Sequence, residues 1–338
     1  MISKFILFST LLFASIVVKA EKPISLLGAG ATFPAPFYQK CFSDYKAENP
    51  GVEITYNPIG SGGGIKNLIE HTVDFGATDA PLTDEELKAN QDILHLPTVL
   101  GAVVVTQNLG TEKIELNLSP EVLAGLFLGE ILKWNDPKIL ELNKAKTLPD
   151  LDVVVVYRAD SSGTTNVFTE YLSKVSATWK TKVGAGKSVK WPVGQGNKGN
   201  QGVASVVKNT PGAIGYIELV FAEQEHMAID SIKNKAGKFV RPNLVSVTAA
   251  ASGIVKSLPA DFRVSMTNAE GVMSYPISAM TYLLVYKELD KAKGPELVKM
   301  LNWLMKKGQT LASPLFYAPL PEAILTKVKE KIKTIQLK

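Results

Sequence analysis

Alternation between short apolar runs and amphipathic stretches of helical length limits the possible folds of this chain most strongly. Apolar runs at residues 24–27, 52–56 and 73–77 are separated by stretches typical of helices at residues 34–46 and 63–71. This alternation predicts an α/β fold with mixed, mostly parallel sheets and right-handed crossovers.

Strongly apolar segments continue the pattern further along the chain. Residues 99–105 and 153–157 predict strands that are covered on both faces. Residues 296–306 and 322–333 predict amphipathic helices, because their apolar side chains fall on one face. Residues 228–262 have weak periodicity and receive no assignment.

Residues 1–20 are typical of a secretory signal peptide. Lys4 supplies a positive start, residues 5–18 form an apolar run, and the segment ends in the small-x-small pattern VKA. The run is shorter than the roughly 20 apolar residues that a membrane-spanning helix needs. Cleavage is therefore predicted after Ala20, and the loss of Lys4 and Lys19 lowers the net charge from +5 to +3.

The cysteine and histidine content argues against several kinds of site. Cys41 is the only cysteine, so no internal disulfide can form, and an isolated thiol in an oxidising compartment is best explained as a small buried residue. His71, His95 and His226 are far apart and lack cysteine partners, which argues against a zinc enzyme. The modest, dispersed charge argues against nucleic-acid binding. We expect no metal and no cofactor.

The first glycine-rich motif, GAGATFP at residues 28–34, lies between a predicted strand and a predicted helix. Pro34 suits the first helical position, and the unsatisfied backbone N–H groups of a helix start could hold an anion. Taken alone, the motif is better explained as a turn whose glycines permit tight packing.

The second motif, GSGGGIK at residues 60–66, also joins a predicted strand to a predicted helix. A nucleotide-binding P-loop is excluded, because Walker A ends in Gly-Lys-Ser/Thr where this chain has Ile-Lys-Asn. What remains is a flexible turn with Ser61 near a helix N-cap. Its hydroxyl and the following amides either only cap the helix or contact a small oxyanion.

The third motif, RADSSGT, follows an apolar strand and opens a helix. Arg158 offers a planar fork of donors for a tetrahedral oxyanion, and Asp160 can pair with it and fix its orientation. Ser162 and Thr164 add hydroxyls, and Gly163 lets the backbone approach closely. Because these groups converge at a helix start, the motif indicates an anion site rather than a structural ion pair.

The fourth motif, GQGNKG at residues 194–199, formally matches the GxGxxG pattern of dinucleotide sites. It follows Trp191 and Pro192 rather than a clear strand, and no acidic residue stands at the expected distance. It is interpreted as a turn-rich loop that leads into a helix near residues 202–208.

Asp79 lies just past the predicted strand at residues 73–77. Ligands of open α/β sheets bind at this edge, beyond the carboxyl ends of the strands. Thr83 or Asp84 is better placed to cap the helix that follows, at residues 82–88, so Asp79 is left for a role in ligand binding.

Six motifs in this order carry a resemblance that covers most of residues 24–320 and is weakest at residues 228–262. They are GAGATFPAP at 28–36, IGSGGG at 59–64, VDFGATDAPL at 73–82, RADSSGT at 158–164, VKWPVG at 189–194 and PGAIGY at 211–216. Together they resemble the periplasmic phosphate-binding proteins of Pst-type ABC transporters. The resemblance implies two α/β lobes joined by two crossing strands, with the ligand cleft between them.

The lobes are predicted to exchange strands directly, since about two domains at roughly 150 residues each fit the length and no low-complexity linker is present. Crossings are expected near residues 106–108 and 276–284. The first lobe would then comprise residues 21–107 and 280–338, and the second residues 108–279.

The resemblance also implies ligand groups in the first lobe. Thr32 and Phe33 would contribute a hydroxyl and a backbone N–H, and Ser61 would join them. Asp79 would accept a hydrogen bond from the proton of the phosphate itself.

In the second lobe the resemblance implies a set of donors. Arg158, Ser162, Gly163 and Thr164 would donate to the phosphate. Asp160 would orient the guanidinium of Arg158 without touching the ligand.

By this resemblance the chain is a non-enzymatic, monomeric periplasmic protein that binds phosphate and delivers it to permease subunits of an ABC transporter. A secreted phosphatase with Ser162 or Thr164 as nucleophile would need a base, and no histidine lies in these motifs. Sulfate or molybdate as ligand is disfavoured by Asp79, because those ions carry no proton at neutral pH. An adhesion or sensing protein with the same fold stays open.

Overall fold

A computed structural model describes residues 23–110 and 113–338, so the predicted signal peptide at residues 1–20 lies outside the described residues. The strands are β1 (Ile24–Gly30), β2 (Val52–Asn57), β3 (Phe75–Thr78), β4 (Ile93–Gln107), β5 (Asn117–Leu118), β6 (Val154–Arg158), β7 (Gln195–Asn197), β8 (Ala213–Glu218), β9 (Ser231–Lys233), β10 (Phe239–Val240), β11 (Ser278–Tyr286), β12 (Glu288–Leu289) and β13 (Gln336–Leu337).

Helices follow most of these strands. They are α1 (Ala35–Glu48), α2 (Ser61–Ile69), α3 (Asp84–Ala89), α4 (Pro120–Leu128), α5 (Pro137–Leu142), α6 (Gly163–Val175), α7 (Ala177–Lys182), α8 (Gly199–Asn209), α9 (Leu219–Gln224), α10 (Leu244–Ser252), α11 (Gly294–Trp303), α12 (Gln309–Ala312) and α13 (Glu322–Lys333). None of the helices within the described residues is both long and apolar enough to cross a membrane.

An eight-stranded mixed sheet runs through the molecule in the order β2-β1-β3-β11-β4-β8-β6-β7. Strand β1 pairs in parallel with β2 and β3, and β6 pairs in parallel with β7 and β8. Strands β11 and β4 are antiparallel to their neighbours. The predicted α/β fold with a mixed, mostly parallel sheet is thereby confirmed.

Strand β4 lies in the middle of this sheet and joins its two parts. Its residues 93–102 pair with β11, and its residues 103–107 pair with β8. We call strands β2, β1, β3 and β11, with residues 93–102 of β4 and the helices and loops packed on them, the first half. Residues 103–107 of β4 and strands β8, β6 and β7, with the helices and loops packed on them, form the second half. The lobe boundaries at residues 107/108 and 279/280 stay predictions.

Strand β4 begins six residues before the predicted apolar run, because the buried polar residues His95 and Thr98 break the apolar pattern in the first part of the strand. His95 Nε2 accepts a hydrogen bond from the Leu82 N–H at 3.1 Å, and Thr98 Oγ1 lies 2.8 Å from the hydroxyl of Tyr38. Both polar groups therefore have partners inside the core, where an unpaired polar group would be costly.

Two further expectations have clear outcomes. Cys41 is a free, buried thiol, as predicted, and burial raises its pKa above the ordinary range.

The interpretation of residues 194–199 as a turn-rich loop is wrong, because residues 195–197 form strand β7 against β6 and helix α8 begins at Gly199. The three residues of β7, Gln-Gly-Asn, include no apolar side chain, so no hydrophobic pattern indicated this edge strand.

Candidate functional site

The carboxyl ends of six strands meet where the two halves face each other. In the first half, β1, β2 and β3 are parallel, so the residues that follow them lie at one edge of the sheet. In the second half, β6, β7 and β8 have the same relation. The motifs after β1, β2, β3, β6 and β7 therefore converge on the cleft between the halves.

Ser61 links the two halves directly. It is fully buried as the first residue of α2, and its Oγ accepts the N–H groups of Asp79 at 3.2 Å and of Gly163 at 3.1 Å. A Cβ atom at position 163 would lie 2.4 Å from Ser61 Oγ and 2.6 Å from Asp79 Oδ2. Only glycine therefore permits this close approach.

Asp79 is a buried carboxyl at the centre of the cleft. Only 4% of it is exposed, and its Oδ1 accepts a hydrogen bond from Thr281 Oγ1 at 2.8 Å. Burial raises the pKa of Asp79 to about 7, although the Thr281 hydroxyl and the Arg158 charge both favour the ionised form. This carboxyl can therefore gain or lose a proton near neutral pH.

Arg158 is held rigidly by Asp160. Its Nε donates to Asp160 Oδ1 at 2.7 Å, and its Nη2 pairs with Oδ2 of the same carboxylate. Asp160 also accepts the Gly199 N–H at 3.1 Å. Burial alone would raise the pKa of Asp160, but Arg158 and this amide lower it below its ordinary value. The bidentate pair fixes the plane of the guanidinium.

The remaining predicted residues of the second half lie at the start of α6. Ser162 is the N-cap residue, and its Oγ accepts the Thr165 N–H at 3.0 Å. Thr164 Oγ1 accepts a hydrogen bond from Arg158 Nη1 at 3.3 Å. The Thr164 hydroxyl at the start of this helix therefore lies beside the guanidinium.

Thr32 and Phe33 occupy the turn between β1 and α1. Thr32 Oγ1 accepts hydrogen bonds from Asn200, a residue of the second half. The Phe33 ring is fully buried, and its carbonyl accepts the Tyr317 hydroxyl at 2.6 Å. Hydrogen bonds thus join Ser61, Asp79 and Gly163 in one cluster, whereas Thr32 reaches Arg158 and its neighbours only through Asn200.

Three contacting residues escaped the sequence analysis. Asn200 directly follows the GQGNKG motif that imitates a dinucleotide site, and Thr281 lies within the largely apolar strand β11. Tyr216, the last residue of PGAIGY, accepts the Arg158 N–H at 3.1 Å and lies 2.6 Å from Thr165 Oγ1. A polar residue in an apolar strand was the available signal for Thr281.

The charges of the cleft nearly cancel. Arg158 is paired with Asp160, and burial favours the neutral form of Asp79. Burial likewise raises the pKa of Glu218, at the end of β8, well above its ordinary range. An anion here would be met chiefly by neutral donors, namely hydroxyls and the N–H groups of helix starts.

The halves are in contact across the cleft. Besides the Ser61 contact, the Gly62 N–H donates to the Ser161 carbonyl at 2.9 Å. Nearer the surface, the ammonium of Lys187 lies 3.0 Å from a carboxylate oxygen of Glu86. The structure is therefore that of a closed cleft.

Known proteins are similar to this chain in sequence and in fold. The profile of the PBP superfamily domain matches residues 17–306. The chain is 44% identical to the phosphate-binding protein PstS of Pasteurella multocida, over 97% of this chain and 94% of that protein. It is 44% identical to PstS of Haemophilus influenzae, over 92% and 93% respectively.

Among solved structures, the phosphate-binding protein from Stenotrophomonas maltophilia superposes with a TM-score of 0.69. The match covers 90% of this chain and 93% of that chain at 19% identity. At such low identity the likeness concerns the fold alone, and it supports the two-lobed architecture.

Proposed function

Because the chain belongs to the PstS family of phosphate-binding proteins within the PBP superfamily, we propose that it binds inorganic phosphate and delivers it to the permease of an ABC transporter for import. The observation that carries this function is the junction of Ser61 with Gly163 beside Asp79, which joins both halves at a buried carboxyl. The protein is a binder and not an enzyme.

In the first half, we assign four ligand groups. The Thr32 hydroxyl, the Phe33 N–H and the Ser61 hydroxyl donate to phosphate oxygens. Asp79 accepts a hydrogen bond from the proton that phosphate carries near neutral pH. The buried position of Asp79 favours this role, because an ionised carboxylate in the closed cleft gains from a donor.

In the second half, Arg158 and the start of α6 supply the remaining donors. Arg158 contributes a guanidinium N–H, Gly163 its backbone N–H, and Ser162 and Thr164 their hydroxyls. Asp160 stays outside the contact shell and orients the guanidinium, as its bidentate pair with Arg158 supports.

The energetic requirement is that every phosphate oxygen finds a donor. A dianion that leaves water loses its hydration, and each oxygen left without a partner raises the cost. Neutral donors meet this requirement without concentrating positive charge. Closure of the halves excludes water and so strengthens each hydrogen bond.

We place the protein in the periplasm as a monomer, after export and cleavage behind Ala20. The composition of residues 1–20 supports export. A closed cleft would present the surface that the permease recognises, and an open cleft would release the ion.

Calorimetric titration of the mature chain, residues 21–338, with phosphate and with sulfate tests the function. We expect tight, one-to-one phosphate binding and negligible heat with sulfate. Absence of phosphate binding, or release of phosphate from a generic ester in a parallel assay, would contradict the proposal.

A further inference from the structure

Asn200 occupies the junction between the two halves without being one of the assigned ligand groups. It is the second residue of α8 and is fully buried. Its Nδ2 lies 2.8 Å from Thr32 Oγ1, in the first half, and 3.3 Å from Thr164 Oγ1, in the second. One side chain thus contacts two of the hydroxyls that we assign to phosphate.

A hydrogen bond on the side away from the two threonines fixes the orientation of the Asn200 amide. Its Oδ1 accepts the backbone N–H of Glu218 at 3.0 Å. That N–H needs an acceptor, so the amide oxygen must face Glu218 and the amide nitrogen must face the two threonines. Asn200 can therefore only donate toward the cleft.

This donation determines what the two threonine hydroxyls can do. A hydroxyl has one proton and two lone pairs. Thr32 Oγ1 accepts from both Nδ2 and the backbone N of Asn200, and Thr164 Oγ1 accepts from Asn200 Nδ2 and Arg158 Nη1. With both lone pairs engaged, each hydroxyl has only its proton to offer, and that proton serves an anion.

We propose that Asn200 is a positioning residue that orients Thr32 and Thr164 as donors to the bound anion and ties this orientation to closure. The inference rests on the proposed phosphate binding. The bond to Thr32 joins the two halves, so the Thr32 hydroxyl is oriented only when the cleft is closed. Asn200 acts through hydroxyl donors, so it raises affinity without distinguishing phosphate from sulfate.

Asn200→Asp is the sharpest variant, because aspartate has nearly the same shape and can still accept the Glu218 N–H. Its second oxygen, however, accepts instead of donating, so the threonine hydroxyls turn toward it and away from phosphate. We expect phosphate affinity at about pH 8 to fall by about 100-fold or more. Asn209→Asp, an exposed position on the same helix, adds the same charge and should bind like the wild type.

The pH profile separates positioning from structural damage. A protonated aspartate donates again, so the affinity deficit of Asn200→Asp should shrink as the pH falls from about 8 to about 5. The ionisable groups of the cleft (Asp79, Arg158, Asp160 and Glu218) are present in both proteins, and the wild type measured at each pH accounts for their own titration. Thermal unfolding without phosphate shows that the variant is folded.

Asn200→Ala provides a second test that adds no charge. We expect phosphate affinity to fall by about tenfold, and by less when Thr32→Val has already removed one of the two hydroxyls. Full additivity of the two substitutions would overturn the inference. So would phosphate affinity within about threefold of wild type for Asn200→Asp at about pH 8, or a deficit that is the same at both pH values. A wild type that fails to bind phosphate would overturn this inference and the proposed function together.

Discussion

At the scale of single residues, Arg158 carries the positive charge of the cleft, and its partner Asp160 depends on it. Arg158→Ala leaves phosphate oxygens unpaired and Asp160 without its guanidinium partner, and we expect phosphate binding to weaken by about 2–5 kcal/mol. Arg158→Lys should recover only part of this loss, because an ammonium lacks the planar fork. Titration calorimetry measures both. Arg241→Ala, at a half-exposed ion pair with Glu115, is the matched control, and wild-type affinity in Arg158→Ala would place the site elsewhere.

Asp79 determines the choice between phosphate and sulfate. Its ionised form can only accept a hydrogen bond, so sulfate, which lacks a proton, sets two acceptors against each other. Sites of this kind reject the mismatched analogue by about 10⁴–10⁵-fold. We expect Asp79→Asn to reduce the difference between the phosphate and sulfate affinities, because an amide can donate to sulfate. Competition titrations with both ions measure it, and equal competition by sulfate against the wild type would contradict this role.

The pH dependence of that selectivity follows from the same carboxyl. Burial raises the pKa of Asp79 to about 7, so below that pH the empty closed cleft holds a protonated carboxyl that can donate, and above it an ionised one that cannot. We therefore expect sulfate affinity to rise as the pH falls from about 8 to about 5.5. Asp79→Asn, which does not titrate, should show a much flatter sulfate profile. A wild-type profile as flat as that of the variant would contradict the assignment.

Several residues of the site could be predicted from the sequence, whereas others depend on closure. Ser61, Asp79 and Arg158 stand in short motifs that mark them as candidate ligand residues, although the Ser61 motif alone fits helix capping equally well. Asn200 acquires its role only because Thr32, distant in sequence, meets it across the cleft. A local pattern cannot contain that contact.

At the scale of elements, helix α3 contributes a contact that spans the cleft. Glu86 accepts the Thr83 N–H in a capping box at the start of α3 and also pairs with Lys187 of the second half. Lys187→Met removes the pair and keeps the cap. For a partly exposed pair we expect phosphate affinity to fall by only about 2- to 5-fold, and the difference to shrink at high salt.

The matched control for this prediction is Lys182→Met, which removes an exposed pair with Glu130 inside the second half. Titrations at low and high salt, with thermal unfolding of the empty proteins, separate closure from stability. Unchanged affinity of Lys187→Met at low salt, or an equal loss in Lys182→Met, would show that the pair does not hold the cleft closed.

Elements with regular periodicity could be predicted closely. Helix α13 has its predicted bounds, and β2 differs by one residue. Sequence periodicity did not predict the start of β4, strand β7 or the structure of residues 228–262, for a common physical reason. Buried polar residues, small edge strands and short helices take their structure from tertiary partners rather than from hydrophobic alternation.

At the scale of the whole molecule, closure depends on the absence of side chains where the halves meet, and Gly163 is one such position. A Cβ at residue 163 would lie 2.4 Å from Ser61 Oγ, so Gly163→Ala should keep the halves apart. Alanine suits the first turn of α6 at least as well as glycine, so we expect no loss of stability in the empty protein. Phosphate affinity should fall by about 100-fold or more, because the donors of the two halves no longer converge.

Two measurements on Gly163→Ala test this reasoning. Titration calorimetry gives the affinity, and small-angle X-ray scattering with and without saturating phosphate gives the closure, which should produce compaction in the wild type and much less in the variant. Gly51→Ala, where an added Cβ meets nothing within 4 Å, is the control and should behave like the wild type. If Gly163→Ala compacts fully and binds phosphate as tightly as the wild type, Ser61 and Gly163 do not form the contact around which the cleft closes. If it compacts fully but binds weakly, the added methyl group acts on the ligand itself, and the steric argument for closure fails.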